Sequence, residues 1–209
     1  SLGESEKRNF NTYSIKGGFN YRYNNRLSMY VNGGYFTRPP FLRNAFAAAR
    51  FSNQYRQGLT TEKIGSVEAG VSYRTSLFRV NLNAYYLEWR DRTTLDEFTP
   101  DDSQVGDINF TPFTFNGLVS EHSGIELDAL YNITSNFELS GFVSLGDWKW
   151  ANDISQTILD EAGNLVEEIE VNIKGLPVGT SAQTTAGLGL HFSGLRSAYI
   201  GGRYNFSKD

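Results

Sequence analysis

Short polar connections alternate along this chain with long charged ones. The short ones are Asn24-Asn25, Arg74-Thr75-Ser76, Thr134-Ser135-Asn136 and Ser193-Gly194; the long ones cover roughly 37–61, 91–119 and 151–182. If the stretches between them are antiparallel strands, every short connection falls at one end and every long one at the other. A soluble sandwich has no reason to sort its loops this way. A transmembrane β-barrel does, because its turns on one side of the bilayer are short and its loops on the other side are long. The expected class is therefore all-β, an antiparallel transmembrane β-barrel.

The stretches between connections alternate with period two. In 12–23, Tyr13, Ile15, Phe19, Tyr21 and Tyr23 share one face and Ser14, Lys16, Asn20 and Arg22 the other. Leu27, Met29, Val31 and Tyr35 repeat the pattern in 26–36, and Val67, Ala69, Val71 and Tyr73 in 63–74. Phe78, Val80, Leu82, Ala84 and Tyr86 continue it in 77–90, Ile125, Leu127, Ala129, Tyr131 and Ile133 in 122–133, and Phe137, Leu139, Val143 and Leu145 in 136–148. The last hairpin carries Ala186, Leu188, Leu190 and Phe192, then Ala198, Ile200, Tyr204 and Phe206. About eight strands result, each long enough to cross a bilayer obliquely. The opposite face holds Lys16, Arg22, Glu68, Arg79, Glu126, Asp128 and Arg203. A sandwich could also turn such a face to water. Strand length beyond the usual ~5–6 residues and aromatics near strand ends favour the barrel. Tyr21, Tyr23, Tyr35, Phe36, Tyr85, Tyr86, Trp89, Trp148, Trp150, Tyr204 and Phe206 are expected in the interfacial girdles.

Composition is compatible. Mean hydropathy is −0.41, and no stretch approaches the ~18 apolar residues of a spanning helix, but barrel strands expose only alternate residues to lipid. The absence of cysteine removes disulfide scaffolds and thiolate zinc sites. A net charge of −4 without a basic run argues against nucleic acid as a partner. No leader precedes Ser1, so an outer-membrane chain of this sequence is expected to be processed or a fragment.

Residues 35–90 add a family signature. Tyr35-Phe36-Thr37-Arg38-Pro39-Pro40-Phe41 is followed, after a variable loop, by Leu59-Thr60-Thr61-Glu62-Lys63-Ile64-Gly65-Ser66-Val67-Glu68-Ala69-Gly70. This resembles the barrel of TonB-dependent outer-membrane receptors, in which an Arg-Pro loop precedes a Leu-x-Pro-Glu-Lys segment and a Glu-x-Gly strand. Glu62-Lys63 and Glu68-x-Gly70 match; Thr61 replaces the usual proline, and Val67 a common aromatic. Val80–Asp91 is similar to the family's next strand, and Gly175-Leu176-Pro177-Val178-Gly179-Thr180 to its loop-to-strand return. The resemblance implies a late part of a plugged, 22-stranded-type barrel, without the plug and the N-terminal segment that meets the TonB energising complex. Phe206-Ser207-Lys208-Asp209 reads as the start of the next outer loop. It further implies active uptake of a scarce nutrient (iron chelate, vitamin, glycan or peptide), no catalysis and no cofactor. The implied partners are TonB, the nutrient, outer-membrane lipid and, for a projecting ribbon, a surface lipoprotein.

Within the loop 37–61, Arg38, Phe41, Arg43, Phe46, Arg50 and Tyr55, with Phe51 and Arg56, combine guanidinium groups for anions with rings for apolar or sugar faces. They are the expected ligand contacts; the bland reading is an ordinary loop packed on its own aromatics. Pro39-Pro40 stiffens the strand exit. Asp91, Asp96, Glu97, Asp101, Asp102 and Asp107 are acidic enough to suggest calcium, but their spacing fits no EF-hand and solvated charge explains them. The stretch 151–174 reads as a β-ribbon turning at Ala162-Gly163-Asn164. His122 and His191 lie in different hairpins and read as strand-end residues, and no strained nucleophile turn supports a hydrolase. Two rivals remain: a complete eight-stranded barrel of structural or adhesive role, and a soluble β-module that binds a ligand.

Overall fold

The computed structural model describes residues 7–45, 59–96, 113–159, 165–179, 181–195 and 198–208. Eight strands form one antiparallel sheet in the order β1 (Ser14–Arg22), β2 (Leu27–Arg38), β3 (Glu62–Arg74), β4 (Phe78–Asp96), β5 (Phe113–Asn132), β6 (Phe137–Trp150), β9 (Thr184–Leu195), β10 (Ala198–Lys208). A separate ribbon pairs β7 (Ile154–Leu159) with β8 (Leu165–Val171), as the sequence predicts. A single helical turn, α1 (Leu42–Ala45), follows β2. The sheet is open: β1 and β10 are its edges.

The register joins the apolar parities into continuous rows. Met29, Val71, Leu82, Leu127, Val143, Ala186 and Phe206 are successive partners across seven strands. Val31, Ala69, Ala84, Ile125 and Leu145 form the row above. Within a strand, side chains two apart share a face, so these rows stack into one apolar belt. Its large side chains stay exposed, Ile125 at 52% and Leu188 at 62%. A patch this large needs an apolar surrounding rather than water, and the hydrocarbon of a bilayer supplies one to an alternating barrel wall.

The short turns share a construction. The side-chain oxygen of Asn24 accepts from the amides of Arg26 and Leu27, both at 2.8 Å. Thr75 Oγ1 accepts from Leu77 and Phe78 at 3.2 and 3.0 Å, and Thr134 Oγ1 from Asn136 and Phe137 at 3.2 and 3.1 Å. Each is the local side-chain closure that favours Asn and Thr in turns.

Four expectations are corrected. The segment 91–119 is not one irregular loop, because β4 and β5 continue as a paired ladder to Asp96 and Phe113. Charged residues there break the apolar alternation without breaking the backbone pairing. The last turn lies beyond Ser193-Gly194, since β9 runs to Leu195 opposite Ala198. Phe206–Lys208 is strand rather than loop, paired with Ala186–Thr184. Phe36, Tyr85, Trp89, Trp148 and Trp150 are not in the outward girdle: they share the polar parity, whereas Tyr86 and Tyr35 lie on the apolar face.

The sheet's middle buries no large side chain. Among the described residues, Pro40, Ala45, Glu62, Ile64, Thr93, Leu118, Ser120, Ile154 and Val178 are buried and lie toward the long-loop end, and only Gly70 and Gly187 are buried lower in the sheet. At the long-loop end the segment 174–179 runs along β6: Trp150 N donates to Leu176 O at 3.0 Å, and Val178 N to Trp148 O at 3.0 Å. Gly175, in the turn that opens this segment, and Gly179 take positive φ of 84° and 83°, which glycine permits. The expected loop-to-strand return is therefore seated against the wall.

Candidate functional site

The polar face is a ladder of paired side chains. Tyr30 Oη donates to the Glu68 carboxylate, Ser72 Oγ to Asn81 Oδ1 at 2.6 Å, and Asn81 Nδ2 to Asp128 Oδ2 at 2.8 Å. Small residues keep this wall low, and rings lie across some of them. Ideal Cβ atoms on Gly70 and Gly124 would meet the rings or hydroxyls of Tyr30 and Tyr85. Higher up, Trp148 Nε1 donates to Tyr85 Oη at 3.0 Å, and the His122 ring lies 5.8 Å from that of Trp148, with Nε2 3.2 Å from Ser120 Oγ.

At the long-loop end the wall closes into a network. Arg38 at the end of β2 is the register partner of Glu62 at the start of β3. The Glu62 side chain has 0% exposure and accepts from Arg38 Nε at 2.7 Å, Trp89 Nε1 at 3.0 Å and the Thr93 amide at 3.3 Å. A buried carboxylate is tolerable only with this kind of pairing.

Rings and guanidinium groups alternate around it. The Arg38 guanidinium carbon lies 4.4 Å from the Phe41 ring centroid and 4.5 Å from that of Trp89. The Arg92 carbon lies 4.6 Å from Trp89 and 5.3 Å from Trp150. The order Phe41, Arg38, Trp89, Arg92, Trp150 spans β2, β4 and β6 and the loop after β2.

A bulge makes the order possible. Trp89 and Arg92 are three residues apart, so regular alternation would turn them to opposite faces. Their partners on β5, Ser120 and Leu118, are only two apart, so β4 carries one extra residue. The bulge holds Asp91 at φ 54°, a left-handed conformation that aspartate tolerates better than most residues. Asp91 turns away from the network and meets Lys63 Nζ at 2.6 Å. Burial pushes the Arg92 pKa below the ordinary guanidinium value; the Glu62 carboxylate opposes that shift and Arg38 reinforces it. Arg92 stays a cation throughout the physiological range.

Of the expected ligand contacts, the structure brings Arg38 and Phe41 together. Arg43 lies in α1, with only its backbone described; Phe46, Arg50 and Tyr55, like Phe51 and Arg56, lie outside the described residues. Glu97, Asp101, Asp102 and Asp107 also lie outside them, and Asp91 is taken by Lys63. His122 and His191 are apart, the latter opposite Glu138 and Gly201. Sequence reasoning placed Glu62 only in a motif and missed Arg92 and the inward Trp89 and Trp150. The alternation does mark Trp89 as inward, since it shares parity with Arg79, Asn81 and Asn83; the bulge that turns Arg92 inward has no such mark.

The comparisons agree with this architecture. The profile of the family "TonB dependent receptor-like, beta-barrel" matches residues 2–209. Among solved structures, the chain is similar to the FrpB iron transporter from Neisseria meningitidis (F3-3 variant) at 18% identity and a TM-score of 0.60, covering 93% of this chain and 26% of that one. It is similar to the copper transporter OprC at 14% identity and a TM-score of 0.61, covering 90% and 25% of the two chains. It is also similar to the ferric-catecholate import receptor Fiu from E. coli K12, in its closed form, at 13% identity and a TM-score of 0.54, covering 89% and 23%. The chain thus spans about a quarter of each of these structures. No curated protein matches it in sequence. An apolar belt on one face, a polar ladder on the other and a profile match over nearly the whole length lead to one assignment: the chain belongs to the TonB-dependent receptor-like β-barrel family.

Proposed function

We propose that this chain is one barrel segment of a longer TonB-dependent transporter, with the plug and the remaining strands supplied by the rest of that protein. In this reading residues 1–209 are part of a single transmembrane domain in the outer membrane. The belt faces lipid and the ladder faces the plug. The full receptor takes up a scarce nutrient when the TonB complex acts on its N-terminal region. The nutrient is an iron chelate, a vitamin, a glycan or a peptide. Titles of similar structures name iron, copper and ferric catecholate, so metal chelates are the first class to test. Arg38, Phe41, Arg43, Phe46, Arg50 and Tyr55 contact the nutrient at the mouth, and the β7–β8 ribbon offers a surface lipoprotein its contact. No bond of the nutrient is made or broken.

The observation that carries this reading is the register-matched belt on a sheet whose two edges are open, since eight strands in this arrangement are a wall rather than a closed pore. Two measurements test it. The denatured mass of the native polypeptide, taken from an outer-membrane fraction, is expected to be several times 23.5 kDa. Uptake of labelled ferric chelates is expected to fall in cells lacking the receptor and equally in cells lacking TonB. A mass near 23.5 kDa, or uptake independent of TonB, overturns the proposal.

A further inference from the structure

We infer that Arg92, in contact with the rings of Trp89 and Trp150, is an anion anchor at the outer mouth, built to take two oxygens of one ligand oxyanion side by side. This rests on reading the mouth as the ligand-facing end of a transporter and adds the chemistry selected there.

The mouth network holds two guanidinium groups, Arg38 and Arg92, and one buried carboxylate, Glu62. Glu62 accepts from Arg38 Nε, Trp89 Nε1 and the Thr93 amide, and no bond from Arg92 is among them. Among the described residues, Arg92 makes ring contacts only, with Trp89 and Trp150. A half-buried guanidinium carries five N–H donors, and leaving such donors unmatched is costly.

Geometry then limits what can match them. The Trp89 and Trp150 ring centroids lie 4.6 and 5.3 Å from the guanidinium carbon and offer its donors no oxygen. Those donors lie in a fork in the guanidinium plane, so a hydrogen-bonding partner must meet its edge. A group with two oxygens at carboxylate or phosphate spacing fits that fork with parallel charge-assisted hydrogen bonds. A neutral amide offers one oxygen and no charge; a cation is repelled by a site whose net charge is positive.

The β4 bulge supports a purpose beyond packing. A residue at positive φ and an interrupted ladder carry a local cost, and such features concentrate where a side chain must be re-aimed. Here the extra residue turns Arg92 from the outer face to the inner one. The network does not need Arg92 to neutralise Glu62, which Arg38 already does.

Benzoate and benzamide, of nearly equal shape and different charge, are suitable probes. Binding of each to the full-length receptor in detergent is measured by ligand-observed saturation-transfer NMR, for wild type, Arg92→Gln and Arg92→Lys. Wild type is expected to prefer benzoate by about tenfold or more, the scale of one charge-assisted pair. Arg92→Gln is expected to abolish the preference, and Arg92→Lys to keep part of it, because lysine retains the charge but not the fork. Inorganic phosphate as competitor separates the two oxyanions: displacement of benzoate assigns the fork to either, and no displacement to carboxylates. Heat-modifiable migration on gels checks that each variant is folded. Equal binding of the two probes to wild type, no benzoate binding at all, or a preference that survives in Arg92→Gln overturns the assignment. TonB-dependent uptake without a charge preference would overturn this inference and leave transport standing; the reverse pattern would do the opposite.

Discussion

Replacing Glu62 with alanine deletes a carboxylate that has no exposure to solvent and three donors aimed at it. Removing one member of a buried ion pair costs about 3–5 kcal/mol when the partner stays desolvated. The Arg38 side chain keeps 31% exposure, so water recovers part of its loss. The Trp89 indole N–H and the Thr93 amide are worse placed, at about 1–3 kcal/mol for each donor left unmatched. A local cost of about 3 kcal/mol follows, or about a hundredfold in an opening equilibrium. Glu62→Gln keeps the shape and an acceptor oxygen while losing the charge, and is expected to cost about 1–1.5 kcal/mol, near tenfold. Global unfolding is the wrong readout, because the belt and the strand ladder below are untouched. Amide hydrogen exchange in the full-length receptor is the right one, read at Thr93 and along the outer ends of β3 and β4. Exchange in Glu62→Ala is expected to accelerate there and not at Val71 or Leu82. A change of less than about threefold at Thr93, or one spread evenly along the strands, would refute the claim that this carboxylate organises the mouth.

Other perturbations separate the two faces of the wall. Leu82→Arg, in the belt, is expected to destabilise by about 2–4 kcal/mol in folding titrations into lipid vesicles, whereas Asn20→Arg, exposed on the polar face, stays within about 1 kcal/mol. Gly124→Ala is expected to cost about 1–3 kcal/mol, because the new Cβ would sit 2.8 Å from the carbonyl of Leu145; Gly202→Ala, with nothing within 4 Å, serves as the matched control in the same titration. Thr134→Val removes the acceptor for the amides of Asn136 and Phe137 and is expected to cost about 0.5–1.5 kcal/mol, seen as faster exchange of those two amides. Trp89→Leu takes a ring from both Arg38 and Arg92 and is expected to weaken the mouth by about 1–2 kcal/mol, seen as faster tryptic cleavage after Arg92.

The strand parities from Tyr13 to Phe206 were readable because one face must be apolar at every second residue, and a slip of one would expose polar groups to the belt. The turns at Asn24 and Thr134 were readable for a similar reason: the closing side chain is itself the signal. Trp89, Trp148 and Trp150 were misplaced because aromatic character outweighed parity, although parity alone puts all three inward. The outer halves of β4 and β5 were missed since two strands beyond the belt no longer need an apolar face, so the alternation that marks a strand stops there. Arg92 illustrates the hardest case. Its facing depends on an extra residue at Asp91, and an aspartate in that conformation looks in sequence like any charged loop residue. Of the six expected contacts, Arg38 and Phe41 are the two that the structure brings together, close to the strand end on either side of Pro39-Pro40, and nothing in the sequence singled them out as a pair.

The turns that close with their own side chains carry a consequence for how such walls change over time. Asn24, Thr75 and Thr134 satisfy the amides of their own turn, while the carbonyls of Arg26, Leu77 and Asn136 accept from the amides of Arg74, Asn132 and Ser193 alongside. A two-stranded unit is therefore closed by its own side chain at that end, and its remaining backbone groups are offered sideways, to whichever strand comes next. Duplication or loss of a whole unit would leave every surviving turn intact and simply present the same edge to a new neighbour. Circumference can thus evolve in steps of two strands, while the opposite end, where Arg38, Glu62, Trp89 and Arg92 tie several units together, resists such shuffling and keeps the identity of the individual receptor.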